Sequence, residues 1–223
     1  MFQTILFDLD GTLTDPGIGI TNSVMYALEK YGIHVLDRTE LYPFIGPPLT
    51  GSFERFYGFD HVQAVEAVGF YREYFREKGI FENRPYDGIQ QLLDRLQKAG
   101  KSLLVATSKP GDFAREILQH FKLYDYFELV AGSNLDGSRT GKSEVISYAL
   151  EKSGIDAGDS VIMVGDREHD VLGAKEKGIA SLGVLYGYGT REELLLAGAD
   201  YLAENVEDVG KVLFEEFDRG KEG

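Results

Sequence analysis

Short apolar runs recur along the chain, each stopping at a polar or small residue. Thr4–Phe7 stops at Asp8, Ser102–Ala106 at Thr107, Phe127–Ala131 at Gly132 and Ser133, and Val161–Val164 at Gly165 and Asp166. A fifth, Ala180–Val184, ends near Tyr186. Unbroken apolar runs of this length suit strands buried on both faces, as in a parallel sheet covered by helices. Between them the spacing changes. Ile89, Leu92, Leu93 and Leu96 recur at i, i+3, i+4 and i+7, with Asp87 placed to cap the start and Gly100 to end the helix. Val145, Ile146, Ala149 and Leu150 repeat the pattern up to Gly154, and Val171, Leu172 and Lys175 follow Asp170 and stop at Gly178. Strand alternating with helix predicts a doubly wound α/β domain, a Rossmann-like parallel sheet in a three-layer α/β/α stack. Ligands of such sheets bind beyond the carboxyl ends of the strands, where this chain carries Asp8, Thr107 and Asp166.

From about Pro16 to Pro85 the alternation breaks. Val24, Leu28 and Tyr31 share a helical face ending at Gly32, and Val65, Val68, Tyr71 and Phe75 read as another helix. Pro43, Pro47 and Pro48 lie between them and predict loops. Together with Pro16 and Pro85, these prolines bracket and punctuate the stretch. The expected organisation is a core built from residues 1–15 and 85–223, with an inserted α-helical cap over residues 16–84.

Composition narrows the function. The 223 residues are 43% hydrophobic and 27% charged, which is globular rather than disordered. Acidic residues outnumber basic ones, 37 to 23, for a net charge of −14. That excess repels phosphate backbones and anionic lipid, so no nucleic-acid or membrane partner is expected. An anionic substrate would need local positive charge to offset the same field. There is no cysteine, which excludes disulfides, zinc thiolates and thiol nucleophiles. The first apolar run breaks at Asp8, too soon for a signal peptide or a membrane span, and the expected location is cytoplasmic.

Candidate chemistry gathers at the strand ends. In Asp8-Leu9-Asp10-Gly11-Thr12 the two acids lie two residues apart, so an extended chain points them the same way. Their repulsion is on the order of several kcal/mol at an effective dielectric of about 20 unless a cation intervenes. A hard divalent ion with oxygen ligands relieves it, and magnesium suits a site that also takes a phosphate. Gly11 permits a sharp turn that lets backbone amides approach a ligand. Gly165-Asp166-Arg167-Glu168-His169-Asp170 brings more carboxylates to another strand end. Asp166 can complete the metal site; Asp170 can orient a ligand water or Lys142, or cap a helix. Lys142 precedes a helical pattern, where its charge and the helix N-terminus both favour an anion, although a solvated surface lysine reads the same way. Thr107 and Ser108 offer hydroxyls at the same edge, or a helix cap before Pro110. The stretch Gly137-Ser138-Arg139-Thr140-Gly141-Lys142-Ser143 has three residues between its glycines where a P-loop needs four, and no strand immediately precedes it.

Taken in order, Asp8-x-Asp10-Gly11-Thr12, Thr107 at a strand end, Lys142 and Gly165-Asp166-x-x-x-Asp170 resemble the haloacid dehalogenase-like hydrolase superfamily, in its helical-cap phosphatase branch. The resemblance covers essentially the whole chain. Gly46-Pro47-Pro48-Leu49 and Gly132-Ser133-x-Leu135-Asp136-Gly137-x-Arg139 are similar to the phosphoglycolate-phosphatase-like group, some members of which are described as 5′-nucleotidases. This implies a magnesium-dependent phosphatase acting on a small phosphorylated metabolite, as a monomer or homodimer. It implies that Asp8 is the nucleophile that becomes an aspartyl phosphate, and that Asp10 protonates the leaving alkoxide and later activates water. Thr107, Ser108, Gly11 and Lys142 are expected on the phosphoryl oxygens. Magnesium is expected on the Asp8 carboxylate, the Asp10 main-chain carbonyl and Asp166, with Asp170 behind them. The cap is expected to close over the site and choose the leaving group through Phe44–Ser52, with Arg55, Arg72 and Arg84 as candidate anion partners. His169 has no spaced partner for a metal, and Lys109 has no assigned role. Two alternatives share the aspartyl phosphate: a sugar phosphomutase of the same superfamily, and a phosphoacceptor signalling module, against which the long insert and Asp10 argue.

Overall fold

Alternation along the strands decides the architecture. In the computed structural model, which describes residues 1–135 and 138–214, β1 (Thr4–Phe7) is followed by a two-residue β2 (Thr14–Asp15). The chain then runs through α1 (Gly17–Glu29), a 3-10 segment Arg38–Phe44, α2 (Leu49–Tyr57), α3 (His61–Tyr74) and a π-helical stretch Phe75–Gly79 to β3 (Arg84–Pro85). Next come α4 (Ile89–Lys98), β4 (Ser102–Pro110), α5 (Gly111–His120), β5 (Leu129–Ser133), α6 (Lys142–Ser153) and β6 (Val161–Gly165). The chain continues through α7 (Glu168–Glu176), β7 (Ala180–Val184), α8 (Arg191–Ala197), β8 (Tyr201–Ala203) and α9 (Val206–Phe214).

Six strands form one parallel sheet in the order β5-β4-β1-β6-β7-β8. Ile5 lies opposite Leu103 and Ile162 in the register, and all three enter one apolar cluster with Phe7, Val105 and Val164. Leu6, Leu104 and Met163, one step along, enter the other. Both faces of the sheet are therefore apolar. Val145, Ile146 and Ala149 of α6 and Ala174 of α7 cover the Leu6 face. Residues of α4, α5 and α9 pack on the opposite face, in a cluster continuous with Val24, Val68 and Phe75 of the inserted helices. The strand order reverses at β1, so its carboxyl end is the switch point where such sheets bind ligands.

Several boundaries differ from those the sequence predicts. The run begun at Phe127 enters the sheet only at Leu129, because the Phe127 amide donates to Tyr124 O and closes a 3-10 turn. Gly88, at φ +87°, caps α4 in place of Asp87. In α7 the buried residues are Asp170, Val171, Gly173 and Ala174, and Leu172 faces outward. Tyr31 lies past the end of α1, its hydroxyl donating to Glu66. Val65 is exposed, whereas Val68, Tyr71 and Phe75 are buried as expected, with Ala64 and Ala67 completing the buried face of α3. The prolines do more than make loops. Pro43 lies within the 3-10 segment, and Pro48 immediately precedes α2, where a missing N–H costs no helical bond. Among the described residues, no helix is long and apolar enough to cross a membrane.

Leu6 is wholly buried and Leu196 is 81% exposed. Leu6→Ala is expected to lower stability to urea by about 2–5 kcal/mol, and Leu196→Ala to stay within about 0.5 kcal/mol of the parent. Equal effects would contradict the two-faced sheet.

Candidate active site

Asp8 is the first residue beyond β1. Its amide still donates to Val164 O at 2.9 Å, in line with the sheet, and its Oδ1 accepts from the Leu9 amide at 2.8 Å. The following turn depends on Gly11. At φ +83° it occupies the left-handed region, and a Cβ there would stand 2.2 Å from Asp166 Oδ2. The glycine thus lets the loop after β1 and the loop after β6 touch. Its own amide donates to Thr14 O at 2.8 Å, so Gly11 is not the ligand-facing donor that the sequence suggests.

Lys142 opens α6 and turns inward. Its Nζ lies 3.0 Å from Asp8 Oδ1 and 2.6 Å from Asp170 Oδ1, and donates to Ala106 O at 3.1 Å. With a side chain only 4% exposed, it is no surface lysine. Burial alone would lower its pKa, but Asp170 and Asp8 outweigh that and raise it.

Asp166 follows β6 and is wholly buried. Its Oδ2 accepts from the Tyr188 amide at 2.8 Å, whereas its Oδ1 has no hydrogen-bond partner among the described residues. Burial, then Asp170 and Asp8, push its pKa well above the usual carboxylate range. Asp170 also accepts from the Arg167 amide at 3.1 Å, and burial, against the pull of Lys142, lifts its pKa to about 6. One oxygen from each of Asp8, Asp166 and Asp170 can lie within 4.8 Å of the others. Three buried acids against one lysine leave surplus negative charge, and an orphaned carboxylate oxygen faces it. Those features fit a hard divalent cation.

Asp10 stands apart from that cluster. Its Oδ2 is 2.9 Å from Lys109 Nζ, its Oδ1 is buried without a partner among the described residues, and burial raises its pKa although Lys109 opposes the shift. The Asp10 carboxyl is thus turned toward Lys109 and away from the cluster, which leaves only its main-chain carbonyl to reach a metal, while the Asp170 carboxylate lies beside Asp8 and Asp166 and pairs with Lys142. Thr107 is buried where the β4–β5 ladder shifts between Ala106 and Pro110, its Oγ1 accepting from the Lys109 amide at 3.3 Å. It is not a helix cap, since β4 continues to Pro110 and α5 has no side-chain cap. Ser108 is half-buried and lines the cavities on either side of it.

Lys109 is the residue that sequence reasoning left without a role. It is 6% exposed, with its ammonium 4.4 Å from the Phe75 ring centroid. The signal was available: an extended strand puts residue 109 on the same side as Thr107. Beyond Asp10 and Lys109 a cavity open at its mouth runs past Phe44, Pro48 and Arg72. The loop leading into α2 is tied down from the sheet side. Arg167 Nη1 donates to Ile45 O at 2.6 Å while its Nε donates to Glu193 Oε1 at 2.8 Å. Arg55 lies exposed over the Phe56 ring, Arg84 pairs with Asp15, and only Arg72 of these three lines the cavity. His169 is half-buried, burial lowers its pKa, and it is outside the acidic cluster. Asp136 and Gly137, in the P-loop-like and Gly132–Arg139 stretches, lie outside the described residues.

Acids at the switch point of a parallel sheet, neutralised in part by a buried lysine and facing a helical insert, define a phosphoryl-handling α/β hydrolase. The chain belongs to the haloacid dehalogenase-like hydrolases, whose family profile matches residues 5–184. It is 52% identical over 193 residues to a 5′-nucleotidase of Pseudomonas aeruginosa, covering 86% of this chain and 87% of that one. It is 41% identical over 187 residues to the tyrosine-protein kinase PtkA of Mycobacterium tuberculosis, covering 84% of this chain and 63% of that protein. Among solved structures, a "predicted phosphatase" from Clostridium acetobutylicum matches with a TM-score of 0.93 at 49% identity, over 96% of this chain and 98% of that one. The protein is a phosphatase of this family, a hydrolase acting on phosphate esters.

The raised Asp166 pKa has a sign that can be measured. Between about pH 4, where an unfolded aspartate ionises, and its higher native value, the folded protein holds a proton that the unfolded chain has released. Metal-free stability therefore falls as pH rises through that window. Asp166→Asn is expected to stabilise the metal-free protein near pH 7.5 by on the order of 1 kcal/mol, with the gain shrinking toward pH 4 in urea titrations. A gain that is flat or reversed with pH would contradict the assigned charge.

Proposed function

We propose that this protein is a magnesium-dependent phosphomonoesterase working through an aspartyl phosphate on Asp8, with small substrates of the phosphoglycolate or nucleoside monophosphate type. Residues 16–84 act as its cap, and it works in the cytoplasm. The observation that carries the reading is the Asp8 carboxylate, fixed at the switch point by Lys142 and flanked by the unsatisfied Oδ1 of Asp166.

An Asp8 oxygen attacks phosphorus as the bond to the leaving oxygen breaks. Asp10, whose carboxyl is protonated more readily than usual because it is buried, gives its proton to that oxygen. As a carboxylate it then takes a proton from the water that attacks the aspartyl phosphate, which frees Asp8 and inorganic phosphate. Lys142, Thr107 and Ser108 supply positive charge and hydrogen bonds to the phosphoryl oxygens. Asp8, Asp166 and the main-chain carbonyl of Asp10 would hold magnesium, with Asp170 steadying Lys142. Bound there, the ion offsets negative charge on the acids and on the phosphoryl group.

Wild-type protein is expected to release phosphate from p-nitrophenyl phosphate with magnesium, and to stop in EDTA. Asp8→Asn is expected to lose at least about three orders of magnitude in kcat. Turnover without metal, or an Asp8→Asn rate equal to wild type, ends the proposal. Phosphoryl groups retained on a sugar bisphosphate, with little free phosphate, would point to the mutase reading.

A further inference from the structure

Among the described residues, the cavity ahead of Asp10 contains a positive charge with no acidic partner. Among the described residues that line it there is one acid, Asp10, and two cations, Lys109 and Arg72. Lys109 is already neutralised, with Asp10 Oδ2 at 2.9 Å and the Phe75 ring beneath it. Arg72 is not. Its Nη1 donates to the main-chain oxygen of Leu135 at 3.2 Å, which satisfies one donor and no charge. Burial, together with the nearby charge of Arg76, pulls its pKa down. A half-buried guanidinium is held where positive charge is disfavoured, in a chain of net charge −14. An incoming anion would reverse that balance.

The walls point the same way. Phe44, Tyr71, Phe75 and Phe113 all line the cavity, yet each is 7% exposed or less. Tyr71 stacks on Phe75 at 5.4 Å, Phe113 meets Phe75 edge-on at 5.3 Å, and Phe44 meets Phe53 edge-on at 5.0 Å. Their ring faces are covered by protein, so the cavity has no platform on which a nucleobase could stack. With the phosphoryl group on Asp8 and the acid at Asp10, the leaving group extends into this space.

We propose that the cavity selects phosphomonoesters whose leaving group carries a second anion, a carboxylate or a second phosphate, and that Arg72 is the residue that reads it. This rests on the phosphatase reading above. Guanidinium pairing with either group in a partly desolvated pocket contributes about 10–100-fold in selectivity.

The test compares kcat/KM on 2-phosphoglycolate and fructose 1,6-bisphosphate with that on p-nitrophenyl phosphate and AMP, whose leaving groups bear no anion. Ratios between variant and wild type cancel intrinsic leaving-group reactivity. Arg72→Gln keeps a donor for Leu135 O but no charge, and Arg72→Lys keeps the charge. Wild type is expected to favour an anionic substrate over AMP. The Gln variant should lose about 10–100-fold of that preference, mostly through KM, and the Lys variant should retain part of it. Whichever anionic substrate leads identifies the second group as carboxylate or phosphate. A wild-type preference for AMP, or a Gln variant depressed equally on all four substrates, would overturn the assignment while leaving the phosphatase reading intact. No phosphate released from any of the four would remove both.

Discussion

One buried ammonium holds the site together. Lys142 reaches from the start of α6 to Asp8 beyond β1, to Asp170 on α7 and to Ala106 O in β4. Four separate elements thus meet on a single nitrogen. Removing two carboxylates and an ammonium from water is expensive, and direct pairing with hydrogen bonds to all partners is what offsets it. The arrangement is still unbalanced, because Asp166 adds a third acid whose Oδ1 finds no partner among the described residues. That imbalance is useful. A site already neutral would have no electrostatic reason to draw in a cation, and a site with no lysine could not admit an anionic phosphoryl group beside Asp8.

The rest of the fold delivers these groups to one place. β1 and β6 are neighbours in register, so Asp8 and Asp166 leave the sheet at the same edge. Gly11 removes the side chain that would keep the two loops apart. The inserted helices are fastened to this edge by contacts that also touch the chemistry. Lys109 binds Asp10 and lies over Phe75, and Arg167, next to Asp166, holds Ile45 O. Movement of the insert therefore cannot be independent of the acids. Asp15 and Arg84 pair where the two crossings into the insert run antiparallel as β2 and β3.

What the sequence made legible follows from this physics. β1, β4, β6 and β7 are readable because strands covered on both faces must be apolar throughout, and an acid or hydroxyl at the end of such a run is conspicuous. β8 is three residues long with only Ala203 fully buried, so it has no run to detect. α2 is hidden behind Pro47 and Pro48, since proline reads as a breaker although the first turn tolerates it. The order of acids, Thr107 and Lys142 along the chain was sufficient to suggest one site. It could not say which way each side chain turns. Asp10 toward Lys109 is an outcome of packing between segments far apart in sequence, whereas the use of the Gly11 amide by Thr14 is a local turn whose geometry residue types alone do not fix.

Arg72 shows where local reading stops. On α3 it resembles Arg76 four residues later, and the helical pattern alone gives no reason to separate them. They differ because Arg72 lines the same cavity as Asp10, while Arg76 is exposed over the Phe113 ring. A charge becomes informative only when its neighbours are known: among the described residues Arg84 has Asp15, Lys109 has Asp10, and Arg72 has a carbonyl. In a protein with a large negative surplus, a cation without an acid is the uncommon event. Placed at the leaving-group end of a phosphatase site, it sets a condition on the substrate that neither the fold nor the acids impose.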